Sequence, residues 1–126
     1  MGSQGHASLF IVDSDVAILD SLKFSLQLQG FAVHLYKEAT DLLEMVTWPA
    51  NGCLVIEHNL ENPGLELVAT LRARGVKLPV IIVASAPTPE LEQRAAAAGA
   101  AQVLAKPLAH NILVATIRTA LAEHCI

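Results

Sequence analysis

Five short apolar runs alternate with longer stretches of helical periodicity, and this alternation constrains the fold more than any other feature. Runs this apolar are typical of strands buried on both faces, as in a parallel sheet covered by helices on two sides. Right-handed crossovers and the strand order 2-1-3-4-5 would place a crevice at the carboxyl ends of strands one and three. The runs are Leu9 to Val12, Phe31 to Leu35, Cys53 to Ile56, Val80 to Val83 and Ala101 to Leu104.

Helix start and stop signals lie between these runs. Leu19, Leu22 and Leu26 recur at helical spacing after residues that can cap a helix. Thr88 and Pro89 have the pattern of an N-cap followed by a first-turn proline. The predicted helices run from a cap at Ser14 or Asp15 to Gly30, from about Glu38 to Thr47, from Gly64 to Gly75, from Thr88 to Gly99, and from after Pro107 to the end.

Composition limits the organisation of the chain. A chain of 126 residues that is 53% hydrophobic and 16% charged must fold, and its length predicts one domain. We expect a disordered N-terminal segment over residues 1–7 and the folded domain over 8–126. The net charge of -4 offers no basic stripe for direct nucleic-acid contact. No run suits a membrane span or a signal peptide, so we expect a cytoplasmic protein.

Polar residues follow the strands at the edge where the crevice is expected. Strand one is followed by Asp13, Ser14 and Asp15, and strand three by Glu57. Strand four ends at Ala84 and Ser85, and strand five is followed by Lys106. Carboxylates gathered around one ammonium suit a hard divalent cation or phosphoryl chemistry.

The chain resembles, over essentially its whole length, the receiver domain of two-component response regulators, the CheY-like superfamily. The receivers of nitrogen-fixation-type regulators, which precede DNA-binding output domains, are the most similar. The features that carry the resemblance are Ile11-Val12-Asp13-Ser14-Asp15, Gly30-Phe31-Ala32-Val33, Pro79-Val80-Ile81-Ile82-Val83, Ala98-Gly99-Ala100 and Lys106-Pro107-Leu108. The fold this resemblance implies is a flavodoxin-like (βα)5 three-layer α/β sandwich.

In that family an acidic pair after strand one binds Mg²⁺, an aspartate after strand three receives phosphate from a histidine kinase, and a lysine contacts the phosphoryl group. Asp13 matches the first acid and Lys106 the lysine. The second acid aligns with Ser14, although Asp15 beside it could partly substitute. Glu57 stands at the phosphoacceptor position.

Two further positions depart from the family pattern. Ala84 replaces the residue whose hydroxyl would contact the phosphoryl group, and Ser85 beside it is the nearest substitute. Val103 replaces the switch aromatic on strand five. Since glutamate is one methylene longer than aspartate, Glu57 no longer places a nucleophile for in-line attack, and a misplacement of about 1 Å can cost roughly a hundredfold in rate.

The preferred interpretation is therefore an atypical receiver that is not an enzyme and is not switched by conventional aspartyl phosphorylation. It would act through contacts with a sensor kinase or a downstream output protein, and it could form a homodimer. The alternative is a conventional phosphoacceptor with a Mg²⁺-dependent acidic pocket. A flavodoxin-like enzyme or nucleotide binder is disfavoured because no glycine-rich phosphate loop follows strand one.

Several roles remain open at the level of sequence. Glu57 either mimics the phosphorylated state beside Lys106 or is a solvated carboxylate. Asp13 and Asp15 either retain weak Mg²⁺ binding or favour the helix start by capping and by the macrodipole; no other cofactor is expected. The apolar surplus of the fifth strand and last helix predicts an interaction face at Val103, Val114 and Ile117.

Overall fold

A five-stranded parallel sheet forms the centre of the fold. The structure, a computed structural model, describes residues 7–59 and 64–124. The strands are β1 (Ser8–Val12), β2 (Ala32–Tyr36), β3 (Gly52–Glu57), β4 (Val80–Ala84) and β5 (Gln102–Ala105). The helices are α1 (Val16–Leu28), α2 (Ala39–Leu43), α3 (Gly64–Ala73), α4 (Pro89–Ala98) and α5 (His110–His124). The strand order is β2-β1-β3-β4-β5, which confirms the predicted topology.

Both faces of the sheet are buried, which explains why the strands are apolar without alternation. In β1, Phe10 and Val12 pack toward α2, α3 and α4, whereas Leu9 and Ile11 pack toward α1 and α5. The central strands β3 and β4 are buried at every position. Burial of such side chains contributes about 1.5–3 kcal/mol each, so this double-sided core supplies the main stabilisation of the fold.

Local signals set the ends of α1 and α4. The Asp15 side chain accepts hydrogen bonds from the amides of Ala17 and Ile18 and caps α1. The Thr88 hydroxyl accepts from the Leu91 amide at the start of α4, and Gly99 ends that helix in the left-handed conformation at φ 100°. The predicted bounds of α4 are confirmed.

The second helix differs from the prediction. It ends at Leu43, whereas the sequence pattern predicted a helix to Thr47. The residue before Pro49 is biased away from the helical region, and the Trp48 ring packs edge-on against Phe10 at 5.1 Å between centroids. This long-range contact competes with continuation of the helix toward Thr47. The Val46 side chain in this segment is 92% exposed.

The described part of the chain begins next to the predicted N-terminal boundary. The Ala7 carbonyl, one residue before β1, accepts a hydrogen bond from the Ala32 amide at 3.0 Å, and we predicted a disordered segment over residues 1–7. Residues 1–6 lie outside the described residues, and the prediction about them stays a prediction. Within residues 7–59 and 64–124, no helix combines the length and apolarity needed to cross a membrane.

Candidate functional site

Three charged side chains meet at the carboxyl edge of the sheet. β1 and β3 are paired neighbours, so Asp13 and Glu57, which lie at their ends, are brought side by side. Lys106 follows β5, and its amide donates to the Ala84 carbonyl at 2.9 Å, which holds the start of the β5–α5 loop against the end of β4. We call Asp13, Glu57 and Lys106 the charged triad.

The ammonium of Lys106 lies between the two carboxylates. Its Nζ is 3.2 Å from Asp13 Oδ2 and 3.4 Å from Glu57 Oε2. Both acids are buried, with side-chain exposures of 6% and 8%, and the lysine side chain is 19% exposed. The Ser14 hydroxyl approaches Glu57 Oε1 at 3.4 Å. Glu57 is therefore a buried ion-pair member and not the solvated carboxylate of the second interpretation.

The charged triad perturbs its own protonation equilibria. Burial, and then the Asp13 carboxylate, raise the pKa of Glu57 above its usual 4.5 despite the attraction of Lys106. Burial alone would lower the pKa of Lys106, but its contacts with Asp13 and Glu57 outweigh burial and raise it. The contacts with the two acids thus favour the charged form of Lys106, whereas burial and the neighbouring Asp13 disfavour the charged form of Glu57.

Backbone contacts position the first acid of the triad. The Asp13 amide donates to the Tyr36 carbonyl at 3.0 Å, and Asp13 Oδ1 accepts from the Asp15 amide at 2.9 Å. Asp15 itself is exposed, and its Oδ1 serves as the cap of α1. The structure thus places Asp15 in its capping role and does not bring its carboxylate into contact with the triad.

The two positions after β4 differ in exposure. Ala84 is 2% exposed and pairs with Ala105 in the sheet, so it provides a wall without a polar group. Ser85 is exposed and lines, with Lys106, a groove of about 560 Å³ along α1. Among residues 7–59 and 64–124, the Ser85 hydroxyl makes no hydrogen bond to the charged triad.

Lys106 would compete with a divalent cation for the two carboxylates of the charged triad. Mg²⁺ prefers several oxygen ligands in octahedral geometry, usually carboxylates and waters. In the described part of the chain the site offers two carboxylates with an ammonium between them, and no cluster of three potential ligands forms. If Mg²⁺ bound here, Asp13 and Glu57 would have to exchange their lysine contacts for the metal.

Gly64, whose role at this site the sequence analysis missed, lies directly behind Glu57. A Cβ at this position would lie 2.6 Å from the Glu57 carbonyl oxygen and 3.2 Å from the His58 Cα. The Gly64 amide donates to the His58 carbonyl at 3.1 Å. A glycine at the start of a helix that follows a strand end is the only sequence signal of this close approach.

The predicted interaction face does not form one surface. One of its three residues is buried, and the other two lie on opposite sides of the sheet. Ile117, on α5, is fully buried because its side chain packs into the core between α5, α1 and the sheet. It cannot contact a partner. Val103 is partly buried against the α2–α4 side of the core. Val114 is partly buried on the opposite, α1–α5 side, so these residues do not form one patch.

The fold, the acidic strand ends and the lysine after β5 define a class of protein. The family model described as response regulator receiver domain matches residues 9–118, and the chain belongs to this family. Receiver domains of this family signal in two-component systems and are not enzymes.

Among individual relatives, the chain is 32% identical over 120 residues to the transcriptional regulatory protein TdiR of Thauera aromatica, covering 94% of this chain and 53% of the relative. It is 30% identical over 124 residues to the transcriptional regulatory protein FixJ of Bradyrhizobium diazoefficiens, covering 98% and 60%. The chain therefore spans little more than half the length of these curated relatives.

Solved structures of receiver domains have the same fold as this chain. A CheY-like receiver domain from Methanospirillum hungatei JF-1 superposes with a TM-score of 0.85 at 26% identity and covers 95% of this chain and 97% of its own. The crystal structure of FixJ-N gives a TM-score of 0.83 at 26% identity with the same coverages.

Proposed function

We propose that the chain is an atypical receiver whose pocket is held in one arrangement by the charged triad and is not switched by aspartyl phosphorylation. The observation that carries this proposal is the position of Lys106 Nζ, 3.2 Å from Asp13 Oδ2 and 3.4 Å from Glu57 Oε2. The residue that would contact a phosphoryl group is already engaged by carboxylates of the chain itself.

The identity of the acceptor supports the same proposal. The Glu57 side chain is one methylene longer than that of aspartate, its carboxylate lies 3.4 Å from Lys106 Nζ, and in-line attack on a phosphodonor is sensitive to such a displacement of the nucleophile. Ser14 stands in place of the second acid, and Ala84 has no hydroxyl to follow a phosphoryl group. Mg²⁺ binding by Asp13, with Asp15 committed to the α1 cap, would be weak or lost.

Signalling would then depend on protein contacts. We expect a sensor kinase or a downstream output protein as the partner, with a homodimer as a further assembly, and no direct nucleic-acid contact by this domain. Exposed apolar side chains suited to such contacts are Phe24 and Leu28 on α1, exposed by 68% and 71%, and Ile112 on α5. We also propose a cytoplasmic location and a domain that spans residues 8–126.

Intact-mass spectrometry after incubation with Mg²⁺ and phosphoramidate or acetyl phosphate tests the proposal. We expect no stable phosphoryl adduct, while a conventional receiver domain treated in parallel gains one. A phosphoryl group retained on the wild-type chain and lost in Glu57→Ala would instead establish the conventional phosphoacceptor.

A further inference from the structure

A second concave site lies at the opposite end of the sheet, between the loops that lead into β3 and β4. Since β3 has six residues, this groove lies about 20 Å from the charged triad. Its volume is about 340 Å³. We call it the basic groove, and it is lined by Trp48, Pro49, Ala50, Arg74, Gly75, Val76, Lys77 and Leu78.

The charge of the basic groove is opposite to that of the chain. The protein carries a net charge of -4, yet the groove lining contains two cations, Arg74 and Lys77, and no carboxylate. Both cations are exposed, and within residues 7–59 and 64–124 neither forms a salt bridge, even though Glu44 directly follows Leu43, whose carbonyl Arg74 contacts. An uncompensated pair of cations on an acidic protein favours an anionic ligand.

The walls of the basic groove are fixed by contacts outside it. The Arg74 guanidinium donates from Nη1 to the Leu43 carbonyl at 2.8 Å, which anchors its position. Arg72 donates from Nη1 to the carbonyls of Val76 at 2.9 Å and Leu78 at 2.8 Å, which holds the floor of the groove. A site ordered before binding loses less conformational entropy when a ligand arrives.

An apolar surface completes the groove. Trp48 is partly exposed, and its ring is held edge-on against the buried Phe10. Leu78 and Val76 are buried beneath it. An indole beside two cations can cover one apolar or proline side chain while the cations pair with flanking carboxylates.

We propose that the basic groove binds a short acidic peptide segment of a partner protein, with carboxylates paired to Arg74 and Lys77 and one apolar side chain against Trp48. The volume admits a few side chains rather than a long polymer. A nucleic acid is disfavoured because two cations neutralise few phosphates and the net charge of the chain repels a polyanion. The proposal does not depend on the state of the charged triad.

Fluorescence anisotropy of a labelled peptide with glutamates flanking one phenylalanine tests this inference on the full chain. We expect saturable binding that weakens as salt rises from about 50 mM to about 300 mM, because the contacting charges are partly exposed. Lys77→Glu should weaken binding by about tenfold, whereas Lys23→Glu on α1, with the same change in net charge, should leave it unchanged. Since Trp48 is the sole tryptophan, its fluorescence should change over the same peptide concentrations.

Four results would overturn the inference. They are the absence of saturable binding, equal weakening by the two charge reversals, tighter binding of a single-stranded oligothymidylate than of the peptide, and dimerisation of the chain that Lys77→Glu abolishes. Lys77 makes no side-chain hydrogen bond or salt bridge within the described residues, so the variant should fold, and an unchanged melting temperature verifies this.

Discussion

Removal of the lysine from the charged triad should leave two buried carboxylates without a cation. In Lys106→Met, Asp13 and Glu57 lose contacts of 3.2 and 3.4 Å to the ammonium. Unit charges at 3.4 Å attract by roughly 5 kcal/mol at an effective dielectric of about 20, before the cost of desolvation is subtracted. Net values run from about 0.2–1 kcal/mol for exposed pairs to 3–5 kcal/mol when one partner of a buried pair is removed. Because the lysine is 19% exposed, we expect a loss of about 2 kcal/mol in unfolding free energy at neutral pH.

Glu57→Gln should behave differently from Lys106→Met. It removes the like-charge contact with Asp13 and leaves the lysine its other partner, so we expect a change within about 0.5 kcal/mol or a slight stabilisation. When Lys106→Met and Glu57→Gln are combined, a single buried carboxylate remains without a cation. The double variant should therefore lose about 1 kcal/mol less unfolding free energy than Lys106→Met alone. Urea denaturation followed by circular dichroism measures all three, and a loss of about 2 kcal/mol lowers the midpoint by about 1 M.

The destabilisation caused by Lys106→Met should depend on pH. The folded-state pKa of Glu57 is raised, so its contribution to stability is present below the unfolded value of 4.5 and is lost as pH rises through the folded value. Without Lys106 this loss should grow, and the destabilisation of Lys106→Met should therefore increase from acidic to neutral pH. Lys23→Met, on the exposed face of α1, is the control. If the two lysine variants lose equal stability at neutral pH, the triad contributes nothing and the reasoning fails.

Three further predictions concern the site and its supports. Glu57→Asp combined with Ser14→Asp should gain a phosphoryl adduct from phosphoramidate and Mg²⁺ in an intact-mass assay, because a shorter nucleophile and a second acid are restored; an unmodified double variant would show that other changes block the chemistry. Gly64→Ala should cost about 1–3 kcal/mol in urea denaturation, since its Cβ would lie 2.6 Å from the Glu57 carbonyl oxygen; a loss below about 0.5 kcal/mol would mean that the loop yields freely. Asp15→Ala should cost about 1 kcal/mol through the lost α1 cap, and it should leave the Lys106→Met effect unchanged if the carboxylate lies outside the triad.

The positions of the strands and the bounds of α4 could be predicted because their signals are local. Apolar runs with turn residues mark the strands, and Thr88 and Gly99 mark the ends of α4 within a few positions of where they act. The end of α2 could not be predicted in this way. It depends on the packing of Trp48 against Phe10, a contact between residues 38 positions apart that no window of sequence contains.

The three residues of the charged triad could be named from the sequence, but their contacts could not. Topology places the ends of β1 and β3 together, and the family resemblance adds the lysine after β5. Whether Glu57 pairs with that lysine depends on side-chain reach and burial, which the sequence does not encode locally. The same limit explains the error at Ile117, since a helical stripe shows which residues are apolar but not how deeply each is buried.

The changes at Ser14 and Glu57 are better understood together than as separate losses. The pocket that the resemblance implies holds three carboxylates and one lysine, an excess of negative charge that a divalent cation offsets. In this chain Ser14 removes one carboxylate, and the longer Glu57 brings its own within 3.4 Å of Lys106. The remaining two acids and one ammonium carry an excess of a single negative charge, and burial further disfavours the charged form of Glu57. Under the proposed function, Lys106 therefore has a smaller excess of negative charge to offset than in the pocket that the resemblance implies.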